Sequence, residues 1–124
     1  MNSTSYKNKL NNPAKYRNLI QFEELQTVQD DEANWVDKWV KSELGTTYAQ
    51  IRTVRGREFF MAGAEQAKIF TRINIRYRKD VEEKYYELGE KLRLRYNNRI
   101  FNIEYMNNLE ERNIELEIIA NEVR

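Results

Sequence analysis

The chain has 124 residues, 40% of them hydrophobic and 33% charged, with a formal net charge of +1. That length suits one domain with a modest core, and near-neutrality excludes a whole-molecule polyanion binder. Cysteine and histidine are both absent, which excludes disulfides and thiolate metal sites and removes the commonest general base.

The N-terminus "MNSTSYKNKLNN" is polar and mildly basic. It lacks the apolar heart of a signal peptide, and no apolar run approaches the ~18 residues of a membrane span. A soluble, non-secreted protein is the expectation, with residues 1–11 a flexible extension and residues 12–124 a single domain. From Asn18, "NLIQFEEL" alternates as a strand with Ile20 and Phe22 on one face. Asp30, Asp31 and Glu32 follow in a loop. They lack the ligand spacing and turn glycine of a calcium site, so a solvated loop is the reading. Trp35, Val36, Trp39 and Val40 suit one helical turn or the end of a long hairpin equally well. Gly45, Thr46 and Thr47 break the pattern, and "TYAQIRTV" predicts a strand from Tyr48 to Val54.

The next stretch, "VRGREFFMAGAEQAKIFTRINIRYRK", changes period in mid-course. Phe59, Phe60, Gly63, Ala64 and Ala67 lie at helical spacing, on a face of small residues weakened by its glycine. From Phe70 the period is two: Ile73, Ile75 and Tyr77 face one way, Arg72, Asn74, Arg76 and Arg78 the other. "DVEEKYYELGEK" predicts a short helix capped by Asp80 with Glu83 three residues on, Val81, Tyr85 and Leu88 on one face, and Gly89 as its stop. "KLRLRYNNRIFNIEYM" predicts a hairpin turning at Asn97-Asn98. Tyr77, Tyr96, Phe101 and Tyr105 are assigned to the core. Tyr85 and Tyr86 are assigned to packing, with a stacking platform for single-stranded nucleic acid as the alternative. "NNLEERN" is a second turn, and Ile114, Leu116 and Ile118 point inward from the last strand. The fold class that follows is mainly β: about six strands and two short helices, arranged as a small barrel or a sandwich.

Chemistry is sparse. Glu110 and Glu111 are paired carboxylates in a turn, with nothing to push their acidities apart. There is no phosphate-binding glycine loop and no G-x-S-x-G elbow. A non-enzyme without metal or cofactor is the expectation. The charge, however, is sorted. Residues 68–79 carry five bases and no acid, and residues 104–124 carry six acids and two arginines. Three readings stay open: neighbouring strands pairing across one sheet, a basic surface beside a nucleic-acid backbone, or complementary edges meeting between identical subunits.

In the order of its motifs the chain resembles the head-tail joining proteins of tailed bacteriophages, also called head-closure, head-completion or stopper proteins. The resemblance runs from Asn12 to Val123. It lies in "NPAKYRNLIQFEEL", in the "sGrE-aromatic" turn at Gly56, Arg57, Glu58, Phe59 and Phe60, and in "TRINIRYR" from Thr71 to Arg78. It resumes at Arg99, Phe101, Ile103, Glu111, Arg112, Glu115 and Leu116. The segment "KDVEEKYYELGEK" is longer than the family's link, and the first eleven residues are extra.

What the resemblance implies is a virion protein: a small β-barrel of about six strands with one or two short helices and a mobile central loop, forming a homo-oligomeric ring of about twelve subunits in the head-tail connector, below the portal and its adaptor. It would be assembled in the bacterial cytoplasm. Its partners would be further copies of itself, the portal-bound adaptor, a tail-completion protein and packaged double-stranded DNA through non-specific contacts, with no membrane. The ring would close the DNA channel after packaging and offer the tail a docking surface. A channel gate would fall at Gly56, Arg57, Glu58, Phe59, Phe60, Met61, Gln66 and Ile69. Arg72, Arg76, Arg78, Glu111, Arg112 and Glu115 would face DNA or a neighbouring subunit. A tail-completion or tail-terminator protein and an OB-like nucleic-acid-binding barrel are the alternatives.

Overall fold

The computed structural model describes residues 13–54 and 70–123. Six strands carry the fold: β1 (Asn18–Gln29), β2 (Trp35–Val54), β3 (Phe70–Arg76), β4 (Leu92–Tyr96), β5 (Arg99–Asn108) and β6 (Glu115–Glu122). Every neighbouring pair is antiparallel, and the order β1-β2-β3-β6-β5-β4 closes on itself as a barrel. Closure leaves no open sheet edge along the barrel wall. The expected mobile central loop, the helical face at Phe59 and Phe60, and the flexible extension fall largely or wholly on residues 1–12 and 55–69, outside the described residues.

The alternation read from the sequence places the core. Ile20 and Phe22 of β1, Ile73 and Ile75 of β3, Leu92 and Leu94 of β4, Phe101 of β5, and Leu116 and Ile118 of β6 are fully buried in one cluster. Each such side chain contributes about 1.5–3 kcal/mol by leaving water. The helix α1 (Lys79–Leu88) covers part of this core with Val81 buried and Tyr85 and Leu88 packed beside it. Gly89, at φ 56°, ends the helix and returns its N–H to the Tyr85 carbonyl. The cap at the other end differs from expectation. The helix starts at Lys79 with Arg78 as its cap and no capping side chain. Asp80 lies inside the first turn, where its carboxylate accepts from the Val81 N–H (2.9 Å) and the Arg78 guanidinium.

Trp35, Val36, Trp39 and Val40 belong to a long hairpin, not to a helical turn. β1 and β2 stay in register from Gln29↔Trp35 to Glu23↔Lys41, slip, and resume at Gln21↔Thr46. The slip is a wide bulge at residues 42–45, closed by Gly45 at φ 72°. β2 therefore runs as one strand of 20 residues where the sequence suggested a break at Gly45.

A bulge also corrects one core assignment. The β5–β6 register shifts between Ile103 and Tyr105. One inserted residue inverts the inward phase, so Met106 is buried and Tyr105 is 53% exposed. Tyr77 and Tyr96 pack at the core's margin, as expected of barrel filler.

Candidate functional site

The outer face of β2, β3 and β6 carries Arg72 and Arg76 of the basic residues singled out in the sequence. Ala49 and Ile51 turn inward on β2, so Tyr48, Gln50 and Arg52 turn outward. Arg52 lies opposite Arg72, and Gln50 opposite Asn74. On the other side of β3, Asn74 lies opposite Glu117 and Arg76 opposite Glu115.

Much of this charge is engaged within the wall. Arg72 pairs with Glu117 at 3.3 Å, which is the cross-sheet pairing of sorted charge. Glu115 is 2% exposed. Its carboxylate accepts from the Tyr16 hydroxyl and from the Asn74 amide (3.0 Å), and Lys15 lies 2.5 Å away. Glu115 is thus held beneath Lys15 and Tyr16 of its own chain. Burial and the Glu115 carboxylate push the Tyr16 phenol well above its ordinary range.

Arg78 is a structural clamp. Its guanidinium donates to the carbonyls of Leu44 (2.9 Å) and Thr46 (3.4 Å) and pairs with Asp80 at 2.7 Å, holding the β2 bulge against the start of α1. Hydrogen bonds from Arg78 hold the Asp80 carboxyl below its usual range. Glu111 and Arg112 lie apart from the wall, exposed in the turn between β5 and β6, with Arg112 3.2 Å from Glu110. The gate candidates Gly56, Arg57, Glu58, Phe59, Phe60, Met61, Gln66 and Ile69 lie outside the described residues.

Arg76 remains exposed, with its guanidinium 5.5 Å above the Tyr16 ring. Tyr16, Thr47, Tyr48 and Arg76 line a shallow notch of about 300 Å³, and Tyr48 is 58% exposed at its rim. Arg52 is also exposed and donates to Asn74 at 3.1 Å. Among the described residues no carboxylate forms an ion pair with Arg52 or Arg76.

The second surface is the arm. β4 pairs with β1 only from Gln21 to Glu24, and β3 pairs with β2 only from Ala49 to Val54. Among the described residues, residues 25–40 are consequently a two-stranded ribbon with no third strand beside it. Trp35 is 70% and Val36 39% exposed, and Asp30, Asp31 and Glu32 crowd the tip. The root is fixed: the Arg93 guanidinium stacks 4.1 Å over the Trp39 ring and pairs with Glu23 at 2.8 Å. Arg52, Tyr48 and the arm escaped the sequence reading. Their signal was the alternation of "TYAQIRTV", which placed Tyr48 and Arg52 outward, and the tryptophan pair left undecided between helix and hairpin.

Among the described residues no cluster of three or more potential ligands stands ready for a metal, and no helix is long and apolar enough to cross a membrane. The described residues thus form a closed barrel with a charged outer wall and a projecting arm. The chain belongs to the phage head completion protein family, whose model matches residues 12–123. It is therefore a structural component of the phage head, and the match covers the span over which the motifs showed the resemblance. The structure is similar to that of protein SF1141 from Shigella flexneri 2a, determined in solution. The TM-score is 0.60 and the identity 25%, over 87% of this chain and 93% of that one. It is also similar to a chain in the virion of a native gene transfer agent particle, with a TM-score of 0.55 and 21% identity over 86% of this chain and 94% of that one. The second likeness bears on the fold alone. No curated protein matches this chain.

Proposed function

We propose that the chain forms a ring in the head-tail connector, below the portal and its adaptor, which closes the DNA channel after packaging and gives the tail its docking surface. The observation that carries this reading is the family match across residues 12–123. Its partners are further copies of itself, the adaptor bound to the portal, a tail-completion protein and the packaged double-stranded DNA. DNA contact is non-specific, through exposed arginine near phosphates. Residues 56–69 form the gate across the channel in this reading. They lie in the chain between β2 and β3, whose facing ends pair at Val54 and Phe70.

The test is deletion of the coding sequence followed by imaging of the particles. Heads that package DNA and then leak it, beside free tails, are the expected outcome. Full heads joined to intact tails would sink the proposal.

A further inference from the structure

We infer that the arm of one copy docks into the Tyr16–Tyr48–Arg76 notch of the next, so that each subunit is joined to its neighbour by a head-to-tail contact. This rests on the ring reading above and names the contact that builds it.

The two surfaces match in chemistry. The arm carries four carboxylates and one lysine between residues 25 and 40, with an exposed tryptophan at the base of its acidic tip. The wall presents Arg52 and Arg76 exposed, while its acids Glu115 and Glu117 are already engaged by Lys15, Tyr16, Asn74 and Arg72. Trp35 is a flat, electron-rich ring, and the notch offers Arg76 over the Tyr16 ring with Tyr48 exposed at its rim, a setting that favours aromatic and cation–π contact. Asp31 and Glu32 would then meet a basic surface, and opposite potentials fix which face pairs with which.

The geometry makes the occupant a second copy. Trp35 and Tyr48 lie on the same strand. At ~3.3 Å per residue they stand roughly 40 Å apart, less whatever the bulge takes up. The arm therefore cannot fold back into its own notch. Contact between two different patches of identical chains is heterologous, and it closes into a ring when its rotation permits.

A photoreactive benzoylphenylalanine in place of Trp35 reads the occupant directly. Particles carrying this variant are irradiated and the cross-linked peptides identified by mass spectrometry. Cross-links to the Thr47-Tyr48 peptide or the Arg76 peptide of another copy are expected. Cross-links to DNA, to a different virion protein or to any other face of the chain overturn the inference, as does a lack of cross-links in particles holding several copies. Copy number per wild-type particle is measured separately. A single copy overturns the ring reading itself, whereas several copies with the wrong cross-link overturn only this contact.

A charge exchange gives a second readout if the photoreactive variant is not incorporated. Arg52→Glu with Arg76→Glu should lower incorporation into particles by about tenfold. Adding Asp31→Arg and Glu32→Arg to the same chain should restore it. Failure to restore, with the variant shown to be folded by its thermal transition, overturns the contact and leaves the basic wall to DNA.

Discussion

Tyr16 donates its hydroxyl to Glu115, and that contact has a pH signature. The folded Tyr16 pKa is raised, chiefly by burial and then by the hydrogen bond to Glu115. A raised tyrosine pKa means that the fold favours the neutral phenol. Its contribution is fully present below the unfolded value of ~10 and is lost as pH rises above it. Urea midpoints measured from pH 8 to 11.5 should fall at the alkaline end for the native chain and fall less for Tyr16→Phe. At neutral pH that variant should cost about 1 kcal/mol, since Lys15 and Asn74 still serve Glu115. Glu115→Ala should cost about 3 kcal/mol in thermal or urea unfolding, because it strands a buried hydroxyl, an amide and a lysine together. The buried Glu115 shows how far charge in a sequence is from charge at a surface.

Two glycines and one ribbon set the predictions for single elements. Gly89 holds φ 56° and ψ −121°, and an added Cβ there would meet nothing within 4 Å. Gly89→Ala should therefore destabilise by about 1–2 kcal/mol through backbone strain alone, read as a lower Tm with the helix content unchanged. Gly45 closes the bulge that Arg78 clamps, so its backbone geometry sets where the arm leaves the barrel. Among the described residues the arm has no third strand beside it, and a lone two-stranded ribbon adds little stability. Replacing residues 26–38 with a two-residue turn should change the unfolding free energy by less than about 1 kcal/mol. If the arm joins subunits, the same deletion should abolish incorporation into particles. A large loss of stability would instead give the arm a role within its own chain.

At the scale of the whole molecule, closure of the barrel ties residues far apart in sequence. The β1–β4 seam joins Phe22 to Leu94, and both side chains are fully buried. Leu94→Ala should cost about 2–5 kcal/mol, because a barrel closed on every side cannot collapse into the cavity. Removal of part of residues 56–69 belongs at the same scale. Under the gate reading, heads with a shortened segment should lose DNA while still joining tails, scored by DNA content and by imaging. Shortened-segment heads that keep their DNA would place the closure elsewhere.

The family was legible in the order of the motifs. The sequence by itself also determined the β class, the inward Ile20, Phe22, Ile73, Ile75, Phe101, Leu116 and Ile118, the Gly89 stop, and the turns at Asn97-Asn98 and before Ile114. These follow from period-two alternation and turn chemistry, which act over a few residues. The tertiary structure alone decided what depends on partners distant in the chain. Arg72 meets Glu117, and Glu115 disappears beneath Tyr16, because β3 and β6 are neighbours only once the barrel closes. Tyr105 turned outward because a one-residue bulge inverts a strand's phase. Trp35 became an exposed arm because β1 and β2 outrun the strands beside them, and no local pattern records where a neighbouring strand ends.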